Sequence, residues 1–195
     1  MPHLPFMDDA DFDKTLIGAA FALAGERGWG AVSASSAARA AGLPLARARE
    51  RFPGRAAILL RFGRMADQVA LAELPIEGTV RDRLFYLTMQ RLDVLQAHRA
   101  GVLALLRRLP SDPVTALLLD QATRRSMRWL LEASGVSTAG LMGELRVSGL
   151  ELVWLWAIRA WRNDETEDLS MTMSSVDDAL GRAERLASWL GSGGA

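Results

Sequence analysis

Seven arginines lie between Arg39 and Arg64, at 39, 47, 49, 51, 55, 61 and 64, with Glu50 as the single acid among them. That window carries a charge of +6, although the whole 195-residue chain is formally neutral. Guanidinium groups at this density point to polyanion chemistry. An arginine fork matches the hydrogen-bonding edge of guanine, and cations beside it hold phosphates. On the run Leu45–Arg51, Arg47 and Arg51 fall one helical turn apart on a shared face. Arg49 projects elsewhere. Arg55 opens the next helix, where backbone amides also attract phosphate. The expected arrangement is Arg47 facing a DNA groove, with Arg39, Arg49, Arg51 and Arg55 as phosphate clamps. The competing reading is a solvated basic face, or arginine stems covering a thin core.

The elements that would position these groups are short. Two helical runs, Ser35–Ala41 and Leu45–Arg51, flank Gly42-Leu43-Pro44. Gly42 suits the left-handed residue that closes a helix, and Pro44 suits the start of the next. Helix, tight turn and helix is the helix-turn-helix pattern. Ser33 or Ser35 caps its first helix, so Ser33, Pro44 and Leu45 join the arginines as candidate DNA contacts. Asp11–Arg27 precedes it, with Phe12, Leu16, Ala19, Ala20 and Leu23 on one stripe. Asp8, Asp9, Asp11 and Asp13 sit at the start of that helix, where its dipole favours anions. Trp29 is expected to cover the small core.

Other chemistries find little support. There is no cysteine, which removes disulfides, thiolate zinc sites and cysteine nucleophiles together. The histidines are His3, in a terminal tail, and His98, expected to cap a helix or lie at the surface. Asp164, Glu165, Glu167 and Asp168 lack the spacing of a calcium loop, and no phosphate-cradling glycine loop is present. No catalytic residue, metal or cofactor is expected. No run approaches the ~18 apolar residues of a membrane span, and the acidic N-terminus has no signal-peptide pattern. A cytoplasmic protein is expected.

Ala, Leu and Arg abound, clustered β-branched runs are absent, and the chain reads as all-α. Helices are expected at Arg55–Glu73, Val80–Gln96, His98–Leu109, Val114–Ala133, from Ser137 or Thr138 to Asn163, and at Leu169–Leu190. The expected division is a head over residues 1–54, a linking helix over 55–74 and a body over 75–195, with a boundary near Leu74–Gly78. Leu152–Ile158 is apolar on every side and so should be covered on every side. A cavity for an apolar ligand is expected among Phe85, Met89, Leu105, Met127, Trp129, Leu130, Met142, Trp154 and Ile158, each of which could equally be ordinary core. The last helix carries a seam, Leu169, Met173, Val176, Leu180, Ala183, Ala187 and Leu190, in steps of four and three. It suits packing within the chain or, with Trp161, a homodimer interface.

The stretch from Leu16 to about Val69 resembles the TetR family of bacterial transcriptional regulators. The similarity rests on LIGAAFALAGERGW, Ser33, AARAAGL, Phe52, a basic residue at 55 and an apolar helix beyond. Family members usually carry Ser or Thr where this chain has Pro44, Gly at Ala46, Thr at Arg47, Leu at Ala48, Tyr at Arg49, Tyr or His at Arg51, and Lys at Arg55. The resemblance implies a three-helix DNA-binding head, a linking fourth helix and a ligand-binding body that dimerises through its last two helices. It implies a homodimeric repressor of a double-stranded operator, released by a small apolar ligand. A second stretch, WRNDETEDLSMTMSSVDDALGRAERL, resembles the close of the coenzyme Q biosynthesis accessory family, as does RERFPGRAAILLRF. That resemblance implies the same fold binding an isoprenoid lipid, without sequence-specific DNA reading.

Overall fold

The computed structural model describes residues 7–72 and 77–192, with side chains to residue 188. Nine α-helices and two single 3-10 turns make up the described residues. They are α1 (Asp9–Arg27), α2 (Ala34–Ala40), α3 (Leu45–Arg51), α4 (Arg55–Leu71), α5 (Val80–Gln96), α6 (Arg99–Arg108), α7 (Pro113–Ala133), α8 (Gly140–Asn163) and α9 (Ser170–Ser192). The 3-10 turns are Trp29–Ala31 and Leu109–Ser111. The expected boundary near Leu74–Gly78 falls largely outside the described residues.

Local chemistry accounts for most of these ends. Asp8 accepts from the Asp11 amide and caps α1, which begins two residues before the apolar stripe suggests. Ser33 accepts from the Ser36 amide while Ser36 returns a bond to Ser33, a reciprocal cap on α2. Gly42 takes φ 65°, and Pro44 stands immediately before α3. Thr79 and Asp82 cap α5 reciprocally. Asp112 accepts from the Thr115 amide, and Pro113 is the first residue of α7. The start of α8 departs from expectation. Its cap position is Ala139, with no side-chain cap bond, and Gly140 takes φ 66°. Thr138 instead donates to Glu132.

The chain groups into two compact units: the residues up to Gly63 with Leu95–Leu119, and Arg64–Val94 with the residues from Asp120 onward. The grouping follows packing and not chain order. In the first unit α6 lies against α1 so closely that a Cβ on Gly101 would run into the Phe21 backbone, and one on Gly25 would press on Ala100. Phe12, Leu16, Ile17, Phe21, Trp29 and Phe52 fill that core. His98, expected as a cap or surface group, makes no cap bond. It packs between Phe21 and Phe62 with ring centroids at 5.6 and 5.5 Å, and its burial pushes its pKa down.

In the second unit α8 and α9 form the main pair. Their connection is tied by Asp164, which is 2 % exposed. One oxygen accepts from the amide and hydroxyl of Thr166 at 3.0 and 2.5 Å. The other accepts from the amide and hydroxyl of Thr172, both at 2.7 Å. Burial alone would raise the Asp164 pKa, but these four bonds outweigh it and hold it at about 2. Within the same connection Leu169 is buried at φ 54°, with its amide donating to the Thr166 carbonyl at 3.4 Å.

The sign of the pH dependence follows. An unfolded aspartate titrates near 3.9, so the stabilisation is complete above that value and is lost as pH falls through about 2. We expect wild type to lose about 2 kcal/mol of unfolding free energy between about pH 4 and 2 from this group, and Asp164→Asn to lack that share. Denaturant unfolding of both proteins across this range checks it.

Candidate nucleic-acid interface

The α2–turn–α3 segment forms as expected, but α3 presents a different face. Leu45, Ala46, Arg49 and Glu50 are exposed, whereas Ala48 is buried and Arg47 and Arg51 are turned toward α1. Arg47 donates from Nη1 to the Met7 carbonyl at 2.8 Å and from Nη2 to Asp9 Oδ1 at 2.6 Å. Its guanidinium lies 4.5 Å from the centroid of the Phe12 ring. Arg51 grips Asp13 with Nε at 2.6 Å and Nη2 at 2.8 Å, and its Nη1 is 2.5 Å from Asp9. Arg61 of α4 meets the other side of Asp13 at 2.6 Å. The expected groove-facing role of Arg47 and the clamp role of Arg51 are therefore corrected: both arginines pack α3 onto α1.

The physical reason lies in two matched ladders. Asp9 and Asp13 are four apart on α1, Arg47 and Arg51 are four apart on α3, and each pair shares one helix face. Asp13 is 2 % exposed, and a carboxylate so buried requires partners. The hydrogen bonds that Arg51 donates to Asp13 push the Arg51 pKa up, so its charge is fixed. The Arg47 hydrogen bond holds the Asp9 carboxyl below its ordinary range. These acids serve the clasp with α3 as well as the helix dipole expected of them. The shared four-residue spacing was the signal that could have found it.

The remaining candidates stay at the surface of the first unit. Ser33 is engaged in the α2 cap. Arg39 is exposed, and Pro44 and Leu45 are exposed at the start of α3. Arg49 is exposed and donates to the Pro53 carbonyl at 2.9 Å. Arg55 opens α4, half-buried, and its charge helps to lower the pKa of Asp112.

The residues expected to form a ligand pocket take several different positions. Arg91 of α5 is buried in the second unit, 5 % exposed. It pairs with Asp67 at 2.7 Å and lies 4.5 Å from the Trp154 ring centroid. Ser126 donates to the other Asp67 oxygen at 2.6 Å. Burial pushes the Arg91 pKa down and Asp67 opposes it. This polar cluster lies against Trp154, one of the expected wall residues. Met127, Leu130 and Trp154 are core, Trp129 is largely exposed, and Leu105 belongs to the first unit. Phe85, Met89 and Ile158 are half-buried and do not line the cavity described next. That cavity, of about 350 Å³, lies among α5, α7, α8 and α9, and of the expected residues only Met142 lines it.

The terminal seam resolves mainly into packing within the chain. Trp161, Val176, Leu180 and Leu169 are buried, and Met173 is half-buried. Ala183 and Ala187 line the cavity. The Leu190 side chain lies outside the described residues. The apolar run of α8 is not covered all round: Val153, Trp154 and Ala157 are buried, while Leu152, Leu155 and Trp156 are exposed. Among the described residues, no group of three or more His, Asp or Glu could hold a metal ion, and no helix is long and apolar enough to cross a membrane.

No family model and no curated protein matches the sequence. Solved structures do. A TetR transcriptional regulator from Nitrosomonas europaea superposes with a TM-score of 0.71 at 21% identity, over 89% of this chain and 98% of that one. A TetR-family regulator from Streptomyces coelicolor gives 0.64 at 22% identity, over 94% and 85%. One from Rhodococcus sp. RHA1 gives 0.59 at 16%, over 90% and 97%. The all-helical fold of this chain is that of TetR regulators.

Proposed function

We propose that the protein is a DNA-binding transcriptional regulator that acts as a homodimer under the control of a small ligand, and that it is not an enzyme. The observation that carries this reading is the α2–turn–α3 segment, with Gly42 at positive φ and Pro44 ahead of an exposed α3 face. The neighbours sharing the fold are named as transcriptional regulators. On that face Leu45 suits a thymine methyl, Arg49 a guanine edge and Glu50 a cytosine amine. Ser33, Arg39, Pro44 and Arg55 flank it as phosphate or backbone contacts. Dimerisation uses the outer face of α8 and α9, where Leu152, Leu155, Trp156 and Met171 stand exposed. A C2 pair would then carry two heads to two half-sites. Repression, released by the ligand, is the regulatory sense the reading adopts.

A second reading has its own support. With Arg47 and Arg51 engaged by Asp9 and Asp13, the basic window offers DNA far less than its formal charge. A lipid-handling protein of the same fold needs no such charge. A gel shift on the DNA upstream of its own gene, at two salt concentrations, separates the two. Arg49→Ala is expected to cost about 1–3 kcal/mol on one operator and to relax its preference at one base pair. Arg55→Ala is expected to weaken all duplexes alike and flatten the salt slope by about one phosphate. No salt-dependent shift with any duplex removes the regulator reading in favour of the lipid one.

A further inference from the structure

We propose that the cavity among α5, α7, α8 and α9 takes one unbranched alkyl chain ending in a carboxylate, with Arg146 as the residue that selects the acid. The inference deepens the ligand-binding part of the reading above and is independent of the DNA part. Size comes first. At about 30 Å³ for a group the size of water, a cavity of about 350 Å³ accommodates roughly ten to twelve heavy atoms. Shape comes next. The α8 wall runs from Met142 to Val153, which at 1.5 Å per residue is about 16 Å. A volume of this size drawn out over that length leaves room for a single alkyl chain and too little for a fused ring system.

The walls and the rim differ in character. Leu84, Leu131, Leu145, Leu150, Val153 and Leu180 give an apolar lining. The charged lining groups are Arg81, Arg146 and Glu184, and a Cβ on Gly181, one residue after Leu180, would meet both Arg81 and Arg185. Arg81 already has a carboxylate, since its Nη2 is 2.8 Å from Asp177 Oδ1 and donates to the Asp177 carbonyl. Arg146 donates to a neutral group, the Ser137 carbonyl, at 3.0 Å. That bond orients the side chain, and among the described residues no carboxylate, Glu184 of the same lining included, pairs with it within ion-pair distance. A carboxylate is the ligand group that completes it. Met142, Leu145 and Leu186 are both lining and exposed, so a chain can enter from solvent.

One position allows the cavity to be closed without disturbing the fold. Gly149 lines it from α8, and a Cβ built there meets nothing within 4 Å. A side chain at Gly149 therefore grows into the void, and loss of an interior helical glycine favours the helix.

The test uses delipidated full-length protein and two probes of equal chain length, decanoate and decanol, below their aggregation limits and followed by displacement of a fluorescent fatty acid. Saturable binding at one site per chain is expected, with decanol at least tenfold weaker. Gly149→Phe should lose tenfold or more of decanoate affinity without a lower thermal midpoint. Arg146→Gln should bring the acid and the alcohol to within threefold of each other. If Gly149→Phe melts early, the Arg146→Gln comparison alone decides. Absence of saturable uptake, equal affinity for acid and alcohol in wild type, or undiminished binding in a folded Gly149→Phe overturns the proposal. None of these outcomes touches the regulator reading, which stands or falls on the gel shift without any acyl compound present.

Discussion

Asp13→Ala is expected to lower the thermal midpoint by about 6–12 °C. The carboxylate is 2 % exposed and receives Arg51 from α3 and Arg61 from α4. Its removal strands two partly buried guanidiniums, and breaking a buried pair costs about 3–5 kcal/mol. The arginine side chains retain 23% and 28% exposure, so water recovers part of this, and about 3 kcal/mol remains. At roughly 2–4 °C per kcal/mol for a chain of this size, the stated shift follows. Thermal melts by circular dichroism check it. A midpoint within 2 °C of wild type would mean that Asp13 does not hold α3 in place. Asp13→Asn keeps the shape and half the acceptors, and should fall between the two.

The second large effect concerns the same clasp from its exposed end. If the proposed DNA binding holds, Asp9→Asn is expected to raise affinity for every duplex by about tenfold at low salt and to steepen the logarithmic salt dependence by about 0.9, the share of one additional phosphate. Asp9 is a carboxylate bridging Arg47 at 2.6 Å and Arg51 at 2.5 Å. Under the proposed DNA-binding function it competes with a phosphate for Arg47. Arg51 remains gripped by Asp13, so only Arg47 is released. The fold should not suffer, because Asp9 is exposed and such pairs contribute little stability. Fluorescence anisotropy with one duplex of matching and one of unrelated sequence, at two salt concentrations, gives the readout. An unchanged slope would show that the Met7 carbonyl and the Phe12 ring hold Arg47 inward without help. In that case the exposed α3 face, with Arg49 beside Glu50, would have to carry all DNA contact from that helix.

The helices themselves were largely legible. The ends of α2, α3, α5 and α7 are set by Ser33, Pro44, Thr79 and Asp112-Pro113, each acting within four residues. Where such a cap is missing, as at Ala139, the sequence placed the start of α8 two or three residues early. The charge of the basic window was legible too, but not its use. Its counter-charges lie 38 residues upstream, beyond the reach of any local pattern.

The same limit explains the pocket and the seam. Apolar residues at helical spacing mark a stripe that will be buried, and do not say by what. Val176 and Leu180 spend that stripe on packing within the chain. Arg91, a buried cation, lies against Trp154 of the expected ligand wall, and the cavity described above opens beside Gly149.

What the sequence determined by itself, then, was the set of helices, their order and the helix-turn-helix punctuation, because caps, turns and periodicity act over a few residues. Which arginines are free, where the cavity lies and which apolar face stays bare were decided only in three dimensions. Those outcomes depend on how far each helix is rotated about its own axis, and that rotation is fixed by partners distant in the chain.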